Sequence, residues 1–110
     1  MSAPTKRLLV PMMVKAIKVG SLFVHGAVGR CGWTVTARSG FSATGGHSFE
    51  TRDAAEQYAR ALSRLADWSK HPLEEAKAFA WAKRLAARRR RALDSAFRRA
   101  TQLDAKTRAP

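Results

Sequence analysis

Short apolar runs separated by glycines make up the first half of the chain. Between residues 8 and 49, β-branched, aromatic and glycine residues occur in short runs, a pattern typical of strands divided by tight turns. Apolar and polar residues alternate in the run 33–38, so we expect the sheet to have one apolar and one polar face. The predicted strands cover residues 9–19, 21–25, 33–38 and 41–50.

A helix is predicted to follow, from Arg52 to about Trp68. Thr51 suits its N-cap, because a threonine hydroxyl can accept a hydrogen bond from an early backbone amide. Asp53 and Glu56 suit the positive end of the helix dipole. The apolar residues of this segment recur at helical spacing and form one stripe that would cover the apolar face of the sheet. They are Ala55, Tyr58, Ala59, Leu62, Leu65 and Ala66.

The last third of the chain predicts one long helix. After a short connection, no glycine occurs and no proline occurs between Pro72 and Pro110, so we expect an uninterrupted helix from Pro72 to about Asp104. Such a helix would be about 50 Å long. The sequence thus predicts an α+β fold, with a small antiparallel sheet of three to four strands and one helix in residues 1–70. Residues 71–110 would form a long basic amphipathic helix with a short disordered tail.

Helical spacing separates the charges of this second helix from its hydrophobic residues. The residues that fall on its cationic face are Lys77, Arg84, Arg88, Arg91, Arg98, Arg99 and Lys106. Those that fall on the opposite face are Phe79, Ala82, Ala86, Leu93, Ala96, Phe97 and Ala100, with Leu85 and Leu103 near its edge. The helix is therefore amphipathic, with a polar side that is almost wholly cationic.

A run of four arginines, 88–91, interrupts this separation. Four consecutive residues cover about 300° of a helix, so Arg89 would lie within the apolar stripe. An unpaired buried arginine is too costly to tolerate. We therefore expect the helix to pack on its own domain only up to about Ala87, and to project beyond the run into solvent, a second subunit or a ligand.

The net charge indicates what such a surface binds. The chain has 21 Lys and Arg against 8 Asp and Glu, a formal charge of +13 that is far beyond what solubility requires. Residues 1–50 carry six basic residues and one acidic, residues 51–69 three of each, and residues 70–110 twelve basic against four acidic. A polyanion would offset this repulsion, and phosphate accepts bidentate hydrogen bonds from arginine.

We therefore expect a nucleic-acid-binding accessory or regulatory protein. Arg89 and Arg90 join the cationic face as candidate ligands of DNA or RNA phosphates. Trp81, at the border of that face, either stacks on a base or packs on its own domain beneath the cations. The polar sheet face, with Thr34, Thr36 and Arg38, is a second candidate surface.

Two other classes of function remain open. A protein-interaction module, including a homodimer, would use the stripe through Phe79, Leu93 and Phe97 to bind an acidic partner or a partner helix. Attachment to an anionic membrane is disfavoured, because the apolar face is mostly alanine. The single cysteine and the lack of a membrane-spanning run favour a cytoplasmic location, or the nucleoid or nucleus if the ligand is DNA.

No arrangement of residues indicates an enzyme. His25, His47 and His71 lack metal-ligand spacing, and Cys31 has no convincing partner histidine. The glycine-rich run 26–32 lacks a P-loop ending and leads into a strand, so it predicts a turn. We expect no catalytic residue, no metal site, no cofactor and no small-molecule substrate.

Overall fold

The fold consists of a small sheet followed by two helices. A computed structural model describes residues 16–26, 32–37, 41–44 and 47–108 of the chain. The elements are the strands β1 (Ala16–Val19), β2 (Leu22–Gly26) and β3 (Trp33–Ala37), the helix α1 (Arg52–Leu65), a 3₁₀ turn (Trp68–Lys70) and the helix α2 (Glu75–Arg108). The predicted α+β class, with a sheet in the N-terminal half and a long C-terminal helix, is confirmed.

The three strands form an antiparallel sheet in the order β1-β2-β3. Val19 pairs with Leu22, so the first hairpin has a two-residue loop, and Gly20 supplies the positive φ of 62° that such a loop requires. Val24 pairs with Val35 in the centre of the sheet, and both side chains are fully buried. The alternation in residues 33–37 therefore gives the apolar face that the sequence predicts.

The fourth predicted strand does not form a continuous strand in its described residues, 41–44 and 47–50. Among the described residues, its strand pairing with β3 consists of isolated bridges between Thr36 and Ser42 and between Trp33 and Phe49. The second bridge lies close to Gly32, where a Cβ atom would come within 2.8 Å of the Phe49 carbonyl oxygen. Residues 9–15 of the first predicted strand lie outside the described residues, as does Arg38.

Helix α1 covers the apolar face of the sheet. Thr51 is its N-cap, and its hydroxyl accepts a hydrogen bond from the Ala54 amide at 3.3 Å, as predicted. The helix ends at Leu65, earlier than predicted, because Ala66 adopts an extended conformation. Trp68 instead lies in the 3₁₀ turn, and its indole N–H donates to the Leu62 carbonyl at 2.9 Å.

Helix α2 completes the same core from both sides of the arginine run. The core residues come from the sheet, from α1 and from both halves of α2, where Leu85 lies before the arginine run and Ala96 and Ala100 lie after it. Neither helix of the described residues is both long and apolar enough to cross a membrane.

Candidate nucleic-acid interface

Helix α2 is not uninterrupted, because its backbone leaves helical geometry at Arg89. This residue has φ −124° and ψ 31°, far from the usual values near −63° and −42°. In a regular helix Arg89 would follow Leu85 by four residues and precede Ala96 by seven, which places it on their buried side. Arg89 is instead exposed, as are Arg88, Arg90 and Arg91. The local kink thus avoids the burial of an unpaired guanidinium.

The distal half of α2 stays on the domain, so the prediction that it projects beyond Ala87 is wrong. Ala96 and Ala100 are buried. The ring of Phe97 contacts Phe49 and Tyr58 at centroid distances of 5.9 and 5.7 Å. The prediction assumed a rigid helix, in which Arg89 would force the next turns away from the core. The kink removes that constraint, because it exposes Arg89 and still lets the following residues pack.

Asp104 ties the last turns of α2 to the start of α1. Its side chain is largely buried and accepts hydrogen bonds from the backbone amides of Glu50 at 2.9 Å and Thr51 at 2.7 Å. The Thr51 hydroxyl donates a third hydrogen bond, at 2.9 Å. The same hydroxyl caps α1, so one threonine links both helices.

The predicted cationic face of α2 is exposed to solvent. Of the predicted site residues, the structure leaves exposed Lys77, Arg84, Arg88, Arg89, Arg90, Arg91, Arg98, Arg99 and Lys106. Lys83, which the sequence-based site did not include, is exposed as well. We call these ten residues the α2 cationic surface. Arg38 is the predicted site residue that lies outside the described part of the chain.

The charge of this surface is not balanced within the described residues. Their ion pairs join Glu56 of α1 to Arg52 at 2.8 Å and to Arg60 at 3.5 Å. None of the ten side chains of the α2 cationic surface takes part in an ion pair with a described carboxylate. The helix as a whole carries eleven Lys and Arg against three Asp and Glu. Within the described part of the chain, the site is therefore a strongly positive surface whose cations form no ion pair with a carboxylate.

Four arginines of this surface form two pairs, one on each side of the kink at Arg89. Arg84 and Arg88 are four residues apart, and Arg91 and Arg98 are seven residues apart, spacings that return to one side of a helix. At 1.5 Å per residue the two pairs together span at most about 21 Å. Planar guanidinium groups at these intervals match a linear array of phosphates better than a single compact anion.

Trp81 packs on its own domain, one of the two roles that the sequence left open. Its ring is half-buried and lies in T-shaped contact with Trp68, at a centroid distance of 4.8 Å, and with His71, at 5.0 Å.

Phe79 was expected on the apolar face, yet 56% of it is exposed. Helical spacing through Ala78, Trp81 and Leu85 would have placed Phe79 at the border of the buried stripe.

The polar sheet face is less open than its composition suggests. Thr34 is largely buried, and its hydroxyl is hydrogen-bonded to that of Thr44 at 3.0 Å. Thr36 is half-buried, with its hydroxyl 3.2 Å from His25 Nε2. These side chains bond within the fold, so the described part of this face has little polar capacity left for phosphate.

The stripe proposed for a partner helix is also not a free surface. Leu93 and Phe97 are partly buried against the core, and the Phe97 ring contacts His47 at 5.0 Å in addition to its other partners. Phe79 is the exposed member of the three. A partner protein would therefore find one exposed side chain instead of a continuous stripe.

No group of three or more potential metal-ligating side chains occurs among the described residues.

Comparison of the sequence with models of known protein families found no match, and comparisons with curated proteins and with solved structures found no similar protein.

Proposed function

We propose that this protein binds nucleic acid, with the α2 cationic surface contacting the phosphate backbone. The exposure of all four arginines of the run 88–91 is the observation that carries the proposal. A helix that departs from regular geometry at Arg89 keeps four adjacent guanidinium groups in solvent. Such a concentration of like charge repels itself and is offset when phosphates replace diffuse counterions.

The mode of binding follows from the residue types. Arginine and lysine contacts to phosphate fix the position of a nucleic acid but carry no sequence information, so affinity is largely electrostatic and specificity modest. We propose an accessory or regulatory role for this binding. A cytoplasmic location, or the nucleoid or nucleus for a DNA ligand, accords with this role.

Neutralisation of two central arginines tests the proposal. Arg88→Gln with Arg91→Gln should weaken binding of a labelled oligonucleotide about 10- to 100-fold near 100 mM salt, because each lost phosphate contact removes one site of counterion release. The salt slope should also become shallower by roughly one for each lost contact. Fluorescence anisotropy of the purified full-length variants measures both quantities.

A variant pair on another surface serves as the control. Arg64 and Lys70 are exposed and lie outside α2, so Arg64→Gln with Lys70→Gln removes the same net charge. The proposal requires this control to bind within about threefold of the unmodified protein, the difference expected from long-range charge alone. Equal losses in the two double variants would show that net charge, and not the α2 cationic surface, determines binding.

A further inference from the structure

One aromatic side chain of α2 is exposed among the cations. Leu73 and Phe79, 64% and 56% exposed, are the large hydrophobic residues that face solvent in the described part of the chain. Every other phenylalanine, tyrosine and tryptophan is buried or half-buried. Phe79 is thus the one residue of these three types with most of its surface available to a ligand.

The ring of Phe79 packs against one neighbouring ring. It lies against Phe41 at a centroid distance of 5.2 Å and an interplanar angle of 82°. Phe41 in turn contacts the buried His71 at 5.1 Å. In an edge-to-face pair one ring presents an edge to a face of the other, so at least one face of Phe79 is not covered by Phe41. A planar ligand can bind the open face, and a ring already packed on one side loses less conformational entropy on binding than a ring without contacts.

Cations lie on the side of α2 that carries this ring. Lys83 follows Phe79 by four residues, which places the two Cβ atoms about 5–6 Å apart. Arg90 follows Lys83 by seven residues, immediately after the kink, and both are exposed. Glu75, one turn before Phe79, lies in the first turn of the helix, where a carboxylate stabilises the helix dipole.

We propose, on the basis of the proposed function, that Phe79 stacks on an unpaired base while Lys83 contacts the adjacent phosphate and Arg90 contacts a phosphate further along the strand. The preferred ligand is then single-stranded nucleic acid. Bases in a duplex are stacked on both faces, so a ring that protrudes from a helix surface can stack only on a base of a single strand. Stacking on a phenylalanine needs no particular base, because every base has a π-face.

The test compares two substitutions of Phe79 on two ligands. Phe79→Leu keeps an apolar side chain of similar size and removes the π-face, whereas Phe79→Trp keeps and enlarges it. The probes are labelled oligodeoxythymidylate, oligouridylate and a mixed-sequence DNA duplex of the same length, each titrated into the full chain. Phe79→Leu should weaken binding of the single strands about 5- to 150-fold, leave duplex affinity within twofold, and Phe79→Trp should restore single-strand binding.

The outcomes separate this proposal from the one on which it rests. Unchanged single-strand affinity in Phe79→Leu, or an equal loss on duplex and single strand, overturns the stacking role. If the Arg88→Gln, Arg91→Gln pair still weakens binding in that case, the phosphate-binding function stands without stacking. If that pair has no effect on any probe, the phosphate-binding function itself is wrong. Circular dichroism of each variant confirms that differences in binding are not differences in folding.

Discussion

Arg89 illustrates how a single side chain sets the geometry of the element that carries it. Its position four residues after Leu85 is typical of a buried residue, and its charge is incompatible with burial. Both facts are readable from the sequence. The sequence does not show how this conflict is resolved, because the helix can either leave the core or bend. The structure bends at Arg89 itself, where φ is −124°, and so keeps the next turns packed.

Tyr58 is the residue whose ionisation reports most directly on the packing of α2. Its ring lies between Phe49 and Phe97, and 6% of it is exposed. Burial raises the pKa of Tyr58 above its ordinary value of 10.0, and the negative charge of Asp94 raises it further. The neutral phenol is thus favoured in the folded protein.

This raised pKa predicts a loss of stability at high pH. Above about pH 10 the unfolded chain releases the tyrosine proton before the folded protein does, so the free energy of unfolding falls with rising pH until the raised folded pKa is passed. Urea unfolding at pH values from about 9 to 11 should show a steeper decline for the unmodified protein than for Tyr58→Phe.

The same residue provides an independent readout. Tyr58 is the only tyrosine of the chain, so the ultraviolet absorbance of tyrosinate follows this one group. Asp94→Asn should lower the pH at which tyrosinate appears, because it removes one of the two causes of the shift. Parallel stability curves for the unmodified protein and Tyr58→Phe would contradict the packing described for this ring.

At the scale of elements, one carboxylate adds a polar link to the packing between α2 and α1. Asp104 accepts hydrogen bonds from two backbone amides and from the N-cap hydroxyl of α1. Asp104→Ala leaves those amides without this acceptor, and we expect a loss of about 1–3 kcal/mol in the free energy of unfolding. Urea denaturation measures the loss.

Asp94→Asn is the matched control for this substitution, since Asp94 is exposed on the same helix and carries the same charge. It should change the free energy of unfolding by less than about 0.5 kcal/mol near neutral pH. Similar losses in both variants would mean that charge on α2, and not the hydrogen bonds of Asp104, explains the effect.

Local signals in the sequence predict some elements well and others poorly. The Thr51 cap and the buried stripe of α1 depend on residues within a few turns of one another. The cap is found as predicted, and Ala55, Tyr58, Ala59 and Leu62 of the stripe are buried, whereas Leu65 is half-buried and Ala66 lies beyond the end of the helix. The 41–50 segment has strand-like composition, but its pairing depends on close approach to Gly32 and β3. The position of Phe79 depends on which residues of α2 face the core. The packing of α2 on the sheet and α1 determines those residues, so helical spacing within α2 alone did not predict that Phe79 is exposed.

At the scale of the whole molecule, the charge is segregated and not merely high. Helix α2 carries a net charge of +8 of the total +13, and the ten residues of the α2 cationic surface are exposed. The sequence alone indicated this segregation and most members of the α2 cationic surface. The sequence did not predict that both halves of this surface belong to a helix packed on one core, because the distal half of α2 was expected to leave the core.

The most direct test of a nucleic-acid-binding function is the salt dependence of binding by the unmodified protein. A labelled single-stranded oligonucleotide is titrated with the full chain at several salt concentrations between about 50 and 200 mM, with anisotropy as the signal. If roughly six to eight phosphates are neutralised, the logarithm of the binding constant falls against the logarithm of salt with a slope of about −4 to −6. The absence of binding at the lowest salt, or binding that does not change with salt, would contradict the function proposed for the α2 cationic surface.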